Sequence, residues 1–148
     1  MTEVAFHFNT ADKLDYACRL LRKAYAASAK VIVTGEMQLM QLLDHNLWTH
    51  DQASFIPHCM SDAAANLLEF SPVILFEDSQ LAPSLPHHQV LLNLGRTLVS
   101  GFETFERIIE VVSLEEEDKA MARKRWKHYS ERGYQMVRHD VSSKSSHQ

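Results

Sequence analysis

Residues 31–33 read Val-Ile-Val, and this run of three β-branched residues limits the fold more than any other feature of the sequence. A strand with one exposed face alternates apolar and polar residues, whereas a continuous apolar run is typical of a parallel strand covered on both faces. Gly35 follows the run, and leucines then recur at helical spacing, at Leu39, Leu42, Leu43 and Leu47. We therefore predict a buried strand followed by a helix.

The same order of strand and helix is predicted at the start of the chain. Residues 4–8 have β-forming side chains, and Asn9 or Thr10 can cap a following helix. Apolar residues then occur at helical spacing, at Leu14, Ala17, Cys18, Leu21 and Tyr25. The chain thus repeats one strand-and-helix unit, although no internal sequence repeat is visible.

Further short strands are predicted at residues 55–56, 73–76 and 90–94. Residues 102–112 fit a helical turn that gives way to a strand at residues 108–112, and residues 134–138 suit a last edge strand. Alternating strands and helices favour parallel pairing, because each crossover places a helix on a face of the sheet. The sequence predicts an α/β fold with a mostly parallel central sheet flanked by helices.

Composition indicates one ordinary globular domain. The chain has 148 residues, 45% of them hydrophobic and 23% charged, with a net charge of −4. We expect a single domain over residues 1–140 and a polar, disordered tail over residues 141–148. The chain has only two cysteines, Cys18 and Cys59, and no apolar run long enough for a signal peptide or membrane span. Both observations favour the cytoplasm.

Residues 113–132 predict a helix with acidic residues at its start and basic residues at its end. Ser113 and Glu116 have the spacing of a capping box, and the acidic residues that follow face the positive end of the helix dipole. Gly133 can adopt the left-handed conformation that ends a helix. A well-capped surface helix would explain this pattern without any ligand.

The same helix also has the chemistry of a binding surface. Arg123, Trp126 and Lys127 are three and four residues apart, so they share one side of a helix. A guanidinium binds a carboxylate through a planar fork, an ammonium adds a point charge, and an indole offers apolar area. An acidic peptide with an aromatic side chain would satisfy all three groups.

Motifs for catalysis or nucleotide binding are not found. The four glycines form no phosphate-binding loop, and the histidines and cysteines lack the spacing of a metal site. Glu77 and Asp78, after a predicted strand, and Gly35 leave open a nucleotide-handling enzyme. A direct single-strand binder that stacks bases on Trp126 is also open, although the net negative charge disfavours it.

A second interaction edge is predicted at residues 55–57. Phe55 and Ile56 form a short apolar stretch, and Pro57 confines such a stretch to an edge or a strand end. Aromatic residues beside short strands are usually buried, so a purely structural role for Phe55 is the alternative. An exposed edge would instead suit a protein partner.

The sequence resembles the chi family of DNA polymerase III accessory subunits over nearly its whole length. The resemblance rests on VAFHF at residues 4–8, Leu47 and Trp48 followed after five residues by SFIPH, VLLNL at residues 90–94, and ARKRWK at residues 122–127. Tyr129 and the pair Gly133 and Tyr134 extend it. The tryptophan-to-SFIPH spacing and the basic helix are its most specific parts.

This resemblance implies a Rossmann-like three-layer sandwich without catalytic residues, cofactor or metal. It implies an accessory subunit in the bacterial cytoplasm, associated with the nucleoid through the replisome and contacting DNA only indirectly. It further implies that the tail of single-stranded-DNA-binding protein contacts Arg123, Trp126, Lys127, Lys119 and Tyr129. The psi subunit of the clamp-loader complex would contact Phe55, Ile56 and Pro57.

Overall fold

The computed structural model describes residues 2–49, 56–64, 66–67, 71–77 and 85–142. These residues form the strands β1 (Glu3–Thr10), β2 (Val31–Gly35), β3 (His58–Met60), β4 (Val73–Glu77), β5 (Val90–Asn93), β6 (Arg107–Ser113) and β7 (Gln135–Asp140). They also form the helices α1 (Lys13–Ala26), α2 (Met37–Thr49) and α3 (Glu116–Glu131), with a 3₁₀ turn at Phe102–Thr104. No helix in these ranges combines the length and the apolar character needed to cross a membrane.

The strands form one sheet in the order β3-β4-β2-β5-β6-β1-β7, and every pairing among them is parallel. Parallel neighbours need a crossover connection, so the helices lie against the faces of the sheet. The predicted α/β class is confirmed, with a sheet that is wholly parallel in the described residues. β3 and β7 are the two edges of the sheet.

Two hydrophobic layers, one on each face, hold the helices to the sheet. Leu21 of α1 and Leu43 of α2 pack with Val33 on one face. Tyr129 of α3 packs with Ile32 on the other. Successive residues of β2 therefore serve opposite layers, which explains its continuous apolar run and confirms the prediction that both faces of this strand are covered. The result is the three-layer, Rossmann-like sandwich.

The start of α1 differs from the prediction. Neither Asn9 nor Thr10 caps it, because β1 continues to Thr10, which pairs with Ser113 of β6. The cap is Asp12, whose Oδ1 accepts the backbone N–H of Asp15 at 3.2 Å. Asn9 instead adopts a left-handed backbone, with φ of 62°, where the register of β1 against β6 shifts.

The predicted capping box at the start of α3 is wrong. Ser113 remains in β6, so the helix begins later, at Glu116. Asp118 in its first turn reaches back, and its Oδ2 accepts the backbone N–H of Ser113 at 2.7 Å. At the other end, Gly133 has φ of 78°, which confirms the predicted left-handed stop.

The C-terminal part of the chain agrees with the predicted elements. Residues 102–104 form the expected turn, the strand after it is β6, and β7 is the expected last edge strand. Val141 is buried against the core, so the packed part of the chain continues just past residue 140. Residues 143–148 lie outside the described residues, and disorder of the tail stays a prediction.

Candidate functional site

A cleft of about 470 Å³ lies where α3 crosses β1 and the edge strand β7. Helix α3 contributes four residues to its lining, β1 three, β6 one and β7 one. The lining residues are Lys119, Ala122, Arg123, Trp126, Phe6, Phe8, Asn9, Val112 and Arg138. Aromatic rings and long cationic side chains thus dominate the surface of the cleft.

Trp126 is the centre of the aromatic part of this cleft. Its ring meets Phe6 edge to face, with the ring centroids 5.1 Å apart, and Phe6 in turn contacts Tyr129 at 6.0 Å. Edge-to-face contacts of this length are favourable, so the half-buried indole is held in place by the core beneath it. Its remaining surface is available to an apolar side chain of a ligand.

No acidic residue among those that line the cleft balances its positive charge. Three of its nine lining residues, Lys119, Arg123 and Arg138, are cations, and none is acidic. Lys119 lies 3.8 Å from the exposed Glu116, whereas Arg123 and Arg138 form no salt bridge with any described residue. Cations gathered in a concave, partly apolar surface attract anionic groups and leave their donors available.

The structure brings together only part of the predicted tail-binding set. Lys119, Arg123 and Trp126 line the cleft, as their shared side of α3 suggested. Lys127 does not line it: its side chain is 77% exposed and lies 3.8 Å from Glu131. We therefore assign Lys127 at most a long-range electrostatic role.

Tyr129 is corrected from a contact residue to a core residue. It has no exposed surface, and its hydroxyl donates to Glu110 Oε2 at 2.6 Å. Burial and the neighbouring carboxylate of Glu110 both raise the pKa of Tyr129. Its ring packs against those of Phe6, Phe102 and Tyr134, so in this fold it presents no surface to a peptide.

Glu110 on β6 is the acceptor at the centre of a buried polar network. Its carboxylate accepts from Asn93 Nδ2 at 2.9 Å, from Arg125 Nε at 3.1 Å and from Tyr129. Burial raises the pKa of Glu110, while the guanidinium of Arg125 opposes that shift. Because Arg125 and Tyr129 belong to α3, the network fixes the rotation of that helix and hence the direction of Arg123 and Trp126.

A second ionic cluster lies at the carboxyl ends of β1, β5 and β6. Lys13 Nζ lies 2.9 Å from Asp118 and donates to the carbonyl of Leu94 at 2.8 Å, and Arg96 lies 3.8 Å from the same carboxylate. Burial raises the pKa of Asp118, but the Ser113 N–H and Lys13 outweigh it and lower this pKa. Nucleotides usually bind in this crevice of α/β folds, and here protein side chains occupy it.

The other residues that could take part in catalysis or metal binding do not form a site within the described residues. Glu77 ends β4, and Asp78 lies outside the described residues. Within the described ranges, no group of histidine, cysteine and acidic residues has the geometry of a metal site. Gly35 ends β2, and an added Cβ there would meet the flexible end of the Met40 side chain at 2.9 Å and Leu94 Cβ at an ordinary 3.5 Å.

Two of the predicted psi-binding residues, Ile56 and Pro57, directly precede β3, at the opposite edge of the sheet from the cleft. Phe55 lies outside the described residues. Ile56 is 2% exposed and belongs to the core, while Pro57 is partly exposed. Trp48 of α2 is 58% exposed and packs against the ring of His58, at a centroid distance of 5.3 Å.

Sequence reasoning assigned no binding role to six residues of the cleft, namely Phe6, Phe8, Asn9, Val112, Ala122 and Arg138. Phe6 and Arg138 are partners in the β1–β7 register, and paired residues of a parallel sheet point to the same face. The alternation within β7 contained this signal, since Met136, Arg138 and Asp140 share one face. Placing Arg138 in the cleft also requires the pairing of β7 with β1, which the local sequence does not show.

Fold and cleft together define a Rossmann-like α/β protein with a cationic, aromatic recognition cleft between its last helix and its edge strand. Residues 1–137 match the family described as DNA polymerase III chi subunit, HolC, and the chain belongs to that family. It is similar to DNA polymerase III subunit chi of Pseudomonas aeruginosa, with 31% identity over 145 residues that cover 94% of this chain and 96% of the relative. The corresponding protein of Haemophilus influenzae is 27% identical over 129 residues, or 86% of either chain.

Proposed function

We propose that this chain is a non-catalytic accessory subunit that joins the clamp loader to single-stranded-DNA-binding protein during DNA replication. In this proposal, the psi subunit holds the chain to the clamp-loader complex, and the cleft captures the acidic C-terminal tail of single-stranded-DNA-binding protein. The observation that carries the tail-binding role is the cleft itself, which combines three cations with an aromatic surface and no acidic lining residue.

The cleft matches the chemistry of an acidic peptide with an aromatic residue. Arg123 and Lys119 offer charge-assisted hydrogen bonds to carboxylates, and the indole of Trp126 offers a flat apolar surface beside them. Arg123 is exposed and has no acidic partner in the described residues, so binding a carboxylate breaks no internal ion pair. Family membership supports the same assignment.

The two proposed partner surfaces lie at opposite edges of the sheet. β7 borders the cleft, and β3 follows directly on residues 56 and 57. Because Ile56 is buried, a psi contact near this edge would use the partly exposed Pro57 and the exposed Trp48 in its place. A chain with partners at two edges can hold both at once, as a bridge requires.

Capture of one tail is expected to be weak and to depend on salt. Exposed charges are screened over about 10 Å at 0.1 M ionic strength, so higher salt weakens the contact. A strand coated with single-stranded-DNA-binding protein presents several tails and raises their effective concentration. Modest affinity for one tail is therefore compatible with firm attachment to the coated strand.

Isothermal titration with a tail peptide of single-stranded-DNA-binding protein tests this function. We expect Arg123→Ala to weaken binding about tenfold or more, as loss of a charge-assisted pair does. Lys124→Ala is the matched control, because Lys124 is an exposed cation on the same helix that does not line the cleft. Equal effects of the two substitutions would show that only net charge matters and would remove the cleft from the proposal.

The same titration separates the two alternatives. A direct single-strand binder would bind a plain oligonucleotide without any protein tail, and it would stack bases on Trp126. A nucleotide-binding enzyme would show saturable nucleotide binding that is unaffected by Arg123→Ala. The crevice occupied by Lys13, Arg96 and Asp118 speaks against the enzyme, because a ligand there must displace these ion pairs.

A further inference from the structure

Arg138 brings a guanidinium into the cleft from β7, whereas Lys119 and Arg123 come from α3. Its Cζ lies 5.2 Å from the centroid of the Phe8 ring and 5.8 Å from that of Trp126. Contacts of this length are cation–π interactions, and they hold the guanidinium over the aromatic surface. The cleft is therefore cationic on two separate structural elements.

The donors of Arg138 remain available for a ligand. The side chain is exposed, and it forms neither a salt bridge nor a hydrogen bond with any described residue. A guanidinium that rests on aromatic rings still presents N–H groups at its edge, in the fork geometry that matches a carboxylate. Its position over Phe8 and Trp126 also reduces the side-chain entropy that is lost on binding.

We propose that Arg138 is a second anion anchor of this cleft and determines which peptides bind. Arg138 binds a side-chain carboxylate of the same peptide whose other carboxylate pairs with Arg123. This inference rests on the proposed tail-binding function and adds a requirement to it. The ligand must carry at least two separate carboxylates, spaced to meet α3 and β7 together, with its aromatic residue seated on Trp126.

A purely structural role for Arg138 makes a different prediction. If Arg138 only held Trp126 in place, its loss would weaken every peptide by the same factor, whichever carboxylates that peptide carried. If Arg138 binds a carboxylate directly, its loss removes the dependence of affinity on that one carboxylate. A double-mutant cycle between protein and peptide separates the two roles.

The experiment titrates the wild-type chain, Arg138→Gln, Arg123→Ala and Arg132→Gln with one set of peptides. The set contains the tail peptide of single-stranded-DNA-binding protein and versions in which one carboxylate at a time is neutralised, including a C-terminal amide. Arg132 is the matched control, because it is an exposed arginine just after α3 that does not line the cleft. Thermal unfolding of each variant checks that the fold is retained.

We expect Arg138→Gln to weaken the tail peptide about five- to twentyfold, as loss of a charge-assisted pair does, while Arg132→Gln stays within about twofold. Neutralising one side-chain carboxylate should weaken wild-type binding by a similar factor and leave Arg138→Gln binding unchanged. The inference is overturned if Arg138→Gln binds like wild type while Arg123→Ala does not, or if it weakens all peptides equally. A wild-type chain that binds no peptide would overturn the proposed function as well.

Discussion

Glu110 shows how one buried carboxylate controls the orientation of a surface helix. It has no exposed surface, and three side-chain donors converge on it, two of them from α3. Arg125, one of those two, also donates from Nη1 to the carbonyl of Arg96 at 2.6 Å. A buried charge pair of this kind is costly to break from one side, because the remaining charge stays buried without a partner.

Replacing Glu110 should therefore destabilise the fold strongly. We expect Glu110→Ala to lower the free energy of unfolding by about 3 to 5 kcal/mol, since Arg125 would remain buried and unpaired. Urea denaturation followed by circular dichroism measures this change. Glu106→Ala, at an exposed glutamate before β6, should change it by less than about 0.5 kcal/mol. Similar effects of both substitutions would show that the Glu110 network does not stabilise the fold.

The lowered pKa of Asp118 implies that the stability of the fold depends on pH. Its pKa is lowered in the fold, so the charged form contributes stability above the unfolded-state pKa of about 3.9. That contribution is lost as the pH falls through the lower, folded-state value. We expect Asp118→Asn to reduce stability by about 1 to 3 kcal/mol at pH 7 and to flatten its decline in acid.

Denaturation midpoints measured between neutral and strongly acidic pH test this prediction. Glu117→Gln is the control, because Glu117 forms an exposed pair with Arg96 and should contribute little. Parallel pH profiles of wild type and Asp118→Asn would show that the ion pair with Lys13 does not stabilise the fold.

At the scale of elements, α3 and β7 form the cleft only because the chain reverses sharply between them. The reversal occurs at Gly133, whose φ of 78° is a conformation that residues with a Cβ adopt at a cost. A Cβ at this position would meet no atom within 4 Å, so the cost of a substitution is confined to the backbone. The glycine thus serves the turn, without any packing constraint.

Substitutions at Gly133 should rank by their tolerance of the left-handed conformation. We expect Gly133→Ala to lower the free energy of unfolding by about 1 to 2 kcal/mol, and Gly133→Asn to lower it less, since asparagine visits this region more readily. Thermal or urea unfolding of the two variants measures the order. A Gly133→Asn variant that is less stable than Gly133→Ala would show that crowding decides the effect.

For the whole molecule, the sheet separates the two proposed partner surfaces by its full width. β3 and β7 are the first and last strands of the seven in the described sheet, and the cleft borders β7. The two proposed surfaces therefore share no described residue.

This separation predicts that the two partners bind independently. The affinity for the tail peptide should change by less than about twofold when the chain is saturated with psi, because sites without shared partners behave additively. Titration of the tail peptide into the free chain and into its complex with psi compares the two affinities. Competition between psi and the peptide would contradict the placement of the surfaces at opposite edges.

The amino-acid sequence by itself determined the class of the fold and the helix that brings Arg123 and Trp126 to one cleft. Continuous apolar runs such as that of β2 and the spacing of apolar residues in α1 and α2 are local signals, so they predicted buried strands and helices. The spacing of Arg123 and Trp126 placed both on one side of α3, and the structure brings them into one cleft.

Tertiary structure alone decided which members of that helix face solvent, which face the cleft and which are buried. Lys127 and Tyr129 lie one and three residues from Trp126, no further than Arg123 does, yet Lys127 is exposed and Tyr129 is enclosed by the core. Arg138 joins the cleft because β7 pairs with β1, more than 120 residues earlier in the chain. Local spacing fixes neighbours on one element, whereas burial and strand pairing depend on contacts between distant parts of the chain.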